Sequence, residues 1–392
     1  MASIKLKGDT SGEVIISAPS VAGASTLELQ ATNGTIATTT DVNTIYNSLG
    51  NRNLIINGDM RIAQRGTSKT GITSNGYYTC DRYRVSIVST GTWTQSQDTD
   101  VPTGQGFANS FKMQCTTADA GLAASDVCVL NYRMEGQNLQ HLKKGTANAE
   151  SLTLSFWVKS NKTGTYILEL YDADNSRTIS QSYSINTSDT WEKKTLTFSG
   201  DTIGTLNNDN GNSLQAYWWF AGGSDWSSGT LATSWQPLNN PDRAVGNVNL
   251  ADSTANYINI TGVQLETGTT ATPFENLQYG QQLALCQRYY QASWGTDSGT
   301  ATTAQGLHWI AYNTTILLGA IMFPVKMRAT PTMIIYGSSS GTANKIETVT
   351  NTLVSGTWAF TGQSRTKATQ ANGTGTSGGG MYQFEFEADA EL

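Results

Sequence analysis

Along residues 151–160, SLTLSFWVKS, every second residue is apolar: Leu152, Leu154, Phe156 and Val158 share one parity. A strand turns alternate side chains to opposite faces, whereas a helix would spread these four over both of its sides. The stretch therefore predicts a β-strand with one face in a core. The β pattern recurs in TYILELYDA (165–173), SQSYSIN (180–186), WEKKTLTFSG (191–200), LQAYWWFAGG (214–223) and YINITGVQLETG (257–268). Between these runs, DADNS and NNDNGN supply Asp-Asn and Asn-Gly pairs that accept positive φ in tight turns. Charged residues make up only 14% of the 392 and glycine supplies 39, a balance that favours strands and turns over helices. The expected fold class is all-β, built round an antiparallel sandwich.

The chain is longer than the roughly 250 residues at which a single core stops growing, so boundaries are expected. Residues 1–50 carry the short runs EVIISA, STLELQA and GTIATT, parted by Gly, Ser, Pro and Asn. With so few large apolar side chains, such a segment cannot bury enough surface to fold alone. It is expected to pair with copies of itself or with another protein, as an attachment or trimerisation segment. Asp41 as an N-cap and Gly50 as a stop predict a short helical connector. Residues 51–276 read as one domain of many strands. Residues 277–291 follow as a single helix, in which Tyr279, Leu283, Cys286 and Tyr290 are spaced by four, three and four, the spacing of a coiled-coil seam. Leu277 and Leu285 widen that stripe. Barely two heptads are too few to hold a trimer unaided, so a three-helix bundle and a helix docked on its own chain both remain open. Residues 292–392 return to strands, GLHWIAY, TTILLGAIMF, TPTMIIYG, GTWAFTG and MYQFEFEADAEL, and predict a second, smaller sandwich. In the last run Tyr382, Phe384, Phe386 and Ala388 alternate with Gln383, Glu385, Glu387 and Asp389, predicting one buried and one acidic face.

Several function classes are disfavoured. The net charge of -6 provides no basic field for a phosphate backbone, so nucleic acid is not expected as a partner. The start, MASIKLKGDTSG, lacks the apolar stretch of a secretory signal, and ILLGAIMF is too short to span a bilayer, so neither secretion nor membrane insertion is expected. Cys80, Cys115, Cys128 and Cys286 form no C-x-x-C pair and read as buried reduced thiols. With only His141 and His308 beside them, no zinc site is expected. DADNS (172–176) opens like a calcium loop, but Arg177 and Tyr183 stand where Gly and Glu are needed, so a hairpin is expected. GTGTSG (373–378) precedes more glycine and a strand rather than a helix, and reads as a loop. No G-x-S-x-G and no recognisable carboxylate pair is present, so neither catalysis nor a cofactor is expected.

Aromatic residues carry the strongest binding signal. In LQAYWWFAGGSDWSSGTLATSWQP (214–237), neighbouring strand residues face opposite ways, so Trp218 and Trp219 cannot both lie in one core. If Trp218 shares the inward parity of Leu214 and Ala216, then Gln215, Tyr217 and Trp219 face outward. Trp226 and Trp235 fall in a Ser-, Gly- and Thr-rich loop, where a large apolar group is costly unless covered. Sugar rings stack their C–H faces on aromatic rings and bond their hydroxyls to amides and charges. Tyr217, Trp219, Asp225, Trp226 and Trp235 are thus the candidate glycan contacts, with packing under the loop or in an oligomer interface as their competing role. On the glycan reading, Trp219→Ala is expected to leave the melting temperature unchanged. Trp157 and Trp191 sit in strongly patterned strands and are expected in or near the core.

NLIINGDMRIAQRG (53–66), LSFWVKS (154–160), TWEKKTLTFSG (190–200) and INITGVQLE (258–266) resemble, in order, the jelly-roll carbohydrate-binding modules of family 4/9 type. ATPFE (271–275), YGQQLALCQRYYQ (279–291) and FPVKMRATPTM (323–333) resemble the C-terminal part of bacteriophage tail-fibre proteins, and residues 6–39 are similar to the starts of many phage fibre proteins. The resemblance implies a homotrimeric, non-enzymatic virion protein, made in the host cytoplasm, that binds host-surface polysaccharide or lipopolysaccharide and other virion proteins. A tail-collar or capsid-surface protein that binds no glycan is the alternative, and a glycan-cleaving tailspike a lesser one, since no β-helical repeat is present. One departure concerns the structural calcium of the binding-module family. Its acidic position is Arg61 in Asn57-Gly58-Asp59-Met60-Arg61, and Thr261 or Gly262 stands where the last strand tends to carry Asp. No metal is therefore expected, although Asp59 would remain as one carboxylate for it.

Overall fold

A computed structural model describes residues 3–7, 13–17, 52–295 and 306–392, and the chain divides into two compact units, Met1–Tyr46 and Asn47–Leu392. In the first unit β1 (Ser3–Lys7) pairs antiparallel with β2 (Glu13–Ser17), joining Ser3 to Ser17 and Lys7 to Glu13. The runs STLELQA and GTIATT and the connector between Asp41 and Gly50 lie outside the described residues.

The second unit begins with β3 (Ser68–Ile72), β4 (Gly76–Tyr77), β5 (Tyr83–Val88), β6 (Thr92–Asp98), β7 (Ser110–Thr117) and β8 (Val127–Glu135). It continues through β9 (Leu152–Ser160), β10 (Gly164–Asp172), β11 (Arg177–Ile185), β12 (Glu192–Phe198), β13 (Asn212–Gly222), β14 (Gln236–Pro237) and β15 (Tyr257–Thr267). These strands form a seven-stranded sheet in the order β14-β11-β10-β13-β8-β5-β4 and a six-stranded sheet in the order β12-β9-β15-β7-β6-β3. The pairings are antiparallel and the chain passes repeatedly from one sheet to the other, which is a jelly-roll sandwich.

The alternation in residues 151–160 explains the layering. Leu154, Phe156 and Val158 on β9 are fully buried and meet Leu168, Leu170 and Trp218 from the opposite sheet in one core. Phe156 meets Tyr183 and Trp218 edge-on, at ring-centroid distances of 5.2 and 5.9 Å, the arrangement that places a positive ring edge on a negative ring face. DADNS closes the β10–β11 hairpin: the Asp172 Oδ1 accepts from the backbone N–H of Asp174 (2.9 Å) and Asn175 (3.1 Å), and Ser176 takes φ +51°.

A short helix that the sequence pattern missed, α1 (Ser224–Ser227), follows β13. The second helix, α2 (Tyr279–Gln287), starts at a capping box in which Gln278 and Gln281 bond each other's backbone N–H. It is shorter than expected, and Tyr290 lies beyond it as the first residue of β16 (Tyr290–Ala292).

The proposed coiled-coil seam is corrected accordingly. Cys286 and Tyr290 are buried within their own chain, Leu283 is half-buried and only Tyr279 is exposed, so the four do not form one free stripe. Arg82 stacks on Tyr289 at 3.4 Å, Arg65 stacks on Tyr290 at 3.6 Å, and Arg288 grips Glu135 at 2.7 and 2.6 Å. These contacts tie the end of α2 and the residues after it to the sandwich.

Beyond the helix come β17 (Leu307–Ala311), β18 (Ile316–Met322), β19 (Thr332–Tyr336), β20 (Glu347–Thr348), β21 (Ala359–Phe360), β22 (Lys367–Asn372) and β23 (Met381–Asp389). The long β23 is central, pairing with β16, β17, β19 and β20 around a core of Trp309, Trp358, Phe360, Phe384 and Phe386. Its polar face departs from the expected exposed acidic stripe, because Gln383 and Glu385 are buried. Glu387 accepts the hydroxyls of Tyr290 and Tyr336, each at 2.8 Å, so flanking strands cover this face and satisfy its acids.

Candidate functional site

Strand β13 sends Trp218 into the sandwich core and Trp219 to the outer face of the seven-stranded sheet, as the alternation requires. Register then places two outward rows across that sheet. Arg84 faces Asn131, which faces Tyr217, which faces Glu169; beside them Arg133 faces Gln215, which faces Tyr171. Tyr171 and Tyr217 are half-buried, with ring centroids 6.3 Å apart.

A connected set of hydrogen bonds fixes the polar members. The Tyr217 hydroxyl donates to Gln215 Oε1 at 2.7 Å, Asn131 Nδ2 donates to the same oxygen at 3.0 Å, and Arg133 Nε donates to Asn131 Oδ1 at 2.8 Å. Both amides are buried, so their orientation is set before any ligand arrives. Arg133 NH1 also donates to the Leu392 main-chain oxygen at 2.6 Å, and the Tyr77 hydroxyl to that oxygen at 3.0 Å, so Leu392 closes one end of the face. Burial, and after it the neighbouring Arg133 charge, lowers the pKa of Arg84.

Trp219 requires a correction. It is 1% exposed and cannot contact a ligand in this conformation. The segment from Gly223 to Asn247 folds back over it: the Ala244 N–H bonds the Trp226 carbonyl (2.8 Å), and Ser180 bonds the Ala232 carbonyl (2.6 Å) through its N–H and the Arg243 carbonyl (3.0 Å) through its hydroxyl. Under this cover Trp219, Val127, Val129, Ile167 and Ala244 form a separate small core, with Tyr217, Trp226 and Leu231 at its margin. The guanidinium of Arg243 lies 5.2 to 5.6 Å from the ring centroids of Tyr171, Tyr217, Trp219 and Trp226. Glu169 holds it at 2.8 Å and also accepts from Trp219 Nε1 (3.0 Å) and the Thr178 hydroxyl (2.6 Å). Burial works against the Arg243 charge, and Glu169 outweighs it and raises the pKa.

Tyr217, Trp219 and Trp226 are thus brought together, with Trp226 half-buried 5.8 Å from Trp219 and Asp225 exposed beside it on α1. Trp235 stands apart: it packs against the main core, lies 5.1 Å from Lys144 and donates to the Ser199 carbonyl at 2.8 Å. The sequence reading missed Tyr171, Asn131, Arg133 and Arg84. Tyr171 had a visible signal, since it shares the parity of Glu169 in TYILELYDA, opposite to the inward Leu168 and Leu170.

Where the resemblance to carbohydrate-binding modules implies a calcium, the residues do not fit a cation, because Arg61 is paired with Asp59. The positive charge beside that carboxylate comes from the chain itself.

No family model matches the chain, and no curated protein matches it. Among solved structures it is similar to a family 4 carbohydrate-binding module (11% identity, TM-score 0.28, 54% of this chain and 98% of the module). It is also similar to a family 11 module of Clostridium thermocellum in complex with a mixed-linked tetrasaccharide (12% identity, TM-score 0.22, 53% and 98%). A third similarity is to the enzymatically active domain of tailspike protein 4 of bacteriophage CBA120 (12% identity, TM-score 0.29). That match covers 55% of this chain and 21% of the tailspike chain, so this protein spans about a fifth of its length.

Proposed function

We propose that this chain is a non-catalytic carbohydrate-binding adhesin of a virus particle, a tail-fibre-type protein that acts as a homotrimer. The observation that carries the glycan reading is the outer face of the seven-stranded sheet, where half-exposed Tyr171 and Tyr217 stand beside the pre-oriented Gln215, Asn131 and Arg133. Ring faces take the apolar side of a pyranose, while the flanking amides and guanidinium take its hydroxyls. Glu169, which faces Tyr217 in register, is occupied by Arg243, Trp219 and Thr178, which suits a face that holds a sugar rather than one that protonates a glycosidic oxygen. The order of the sequence motifs over residues 53–333 supports the fibre role. Trimer formation and attachment fall to residues 1–50 in this reading, since the helical seam is largely buried within its own chain.

The test is retention of the purified protein on immobilised bacterial surface polysaccharides, alongside a reducing-end assay. Binding that is lost in Tyr217→Ala, with no new reducing ends, supports the proposal. Absence of retention on every polysaccharide, together with tight binding to a portal or capsid protein, would overturn it in favour of a collar or capsid role.

A further inference from the structure

We infer a second saccharide site on the opposite side of the sandwich, in a groove of about 460 Å³ on the outer face of the six-stranded sheet, with Trp157 in its floor. It rests on the reading of the chain as a saccharide-binding protein, but not on the tyrosine face, from which the core separates it. Trp157 has the parity opposite to Phe156 and Val158, so it points away from that core and is half-buried rather than buried. Register places Lys193 on one side of it and Thr261 on the other.

Immediately after Thr261 the pairing of β15 with β9 slips, and the bulge holds Gly262, with φ +62°, and Val263. A Cβ at Gly262 would lie 2.6 Å from the ring of Phe107, so the glycine is what lets Phe107 lie against the strand. Phe107 then meets Phe274 edge-on at 5.1 Å, and both rings join Trp157 in lining the groove.

The far wall is the ATPFE segment, and buried polar side chains hold it rigid. Glu266 accepts the Thr272 N–H at 2.9 Å and its hydroxyl at 2.6 Å, while Gln264 Oε1 accepts the Glu275 N–H at 2.8 Å. A wall fixed in this way is what a preformed binding groove needs. Among the described residues, the Trp157 indole N–H, the Gln105 side-chain amide and the Lys193 ammonium have no partner within the chain, and all three residues line this groove. An aromatic floor with solvent-accessible donors at its edge matches the two-sided chemistry of a pyranose, and the volume falls in the ordinary range of small-ligand sites. Two sites on opposite faces would let one chain engage two stretches of polymer and gain from effective concentration.

Protein labelled with 5-fluorotryptophan carries one fluorine on each of its ten tryptophans. Titration with cellohexaose, xylohexaose, β-1,4-galactotriose, chitotetraose and tetragalacturonate separates the two faces, with the Trp157 resonance assigned from Trp157→Phe. The expected result is that at least one probe shifts the Trp157 resonance, that the shift persists in Tyr217→Ala, and that Lys193→Ala weakens it by about fivefold or more. A probe that binds while perturbing only Trp219 and Trp226 overturns the second site and leaves the first standing. Failure of every probe to bind overturns the second site, while retention on the surface polysaccharides decides the first.

Discussion

The guanidinium of Arg82 is buried against the carboxylate of Glu391, 309 residues further along the chain, with side-chain exposures of 1% and 4%. The same guanidinium stacks on Tyr289 at 3.4 Å and donates to the Arg133 carbonyl at 2.6 Å. Arg65 reaches Glu391 at 3.4 Å and Asp389 at 3.0 Å. Residues 389–391 are thereby tied to the jelly roll, with the Glu391 charge removed from water.

Removing one partner of such a pair leaves a buried, uncompensated charge. Glu391→Ala should cost about 3–5 kcal/mol, read as a lower denaturant midpoint at unchanged slope. An unchanged midpoint would mean that the pair is solvated in solution.

Trp219→Ala and Tyr217→Ala should separate packing from binding. Trp219 fills the small core and donates to Glu169, so its loss should lower stability by about 3–5 kcal/mol, contrary to the unchanged melting temperature expected from sequence. Tyr217→Ala should instead weaken polysaccharide retention by about 2 kcal/mol in binding free energy. Equal melting temperatures for the two variants would contradict this division.

Replacing Leu283 with Asp tests the helix. With Cys286 and Gln282 facing its own chain, α2 is docked, and the variant should keep the oligomeric mass of the parent by light scattering. Dissociation to monomers would restore the three-helix bundle.

Asp81 gives a pH signature. Burial, partly opposed by Arg65, pushes its carboxyl up to about 6 from an ordinary 3.8. The folded protein therefore holds this proton more tightly than the unfolded chain. Its contribution to stability is fully present below about pH 4 and is lost as pH rises to about 6, on the order of 3 kcal/mol. Relative to the parent, Asp81→Asn should gain stability across that window in urea unfolding. Parallel pH profiles would show that Asp81 titrates normally in the fold.

Much of the architecture was legible because strand alternation is local. The sequence-based strands at 151–160, 165–173, 191–200, 214–223 and 257–268 coincide with β9, β10, β12, β13 and β15 to within about two residues at either end. The opposite orientations of Trp218 and Trp219 followed from the same rule. The placement of Trp157 in or near the core did not use it, although parity already pointed that side chain outward.

Alternation says which way a side chain points but not what lies above it. Sequence alone determined that Trp219 leaves the main core; the return of Gly223–Asn247 decided that it is nevertheless buried, with Arg243 of that segment paired to Glu169 beside it. Likewise, heptad spacing gave Cys286 and Tyr290 an apolar role, and the buried arginines of the sandwich decided that this role is internal. Direction is set by backbone geometry between neighbours, whereas burial depends on segments far apart in sequence, and only the folded chain brings those together.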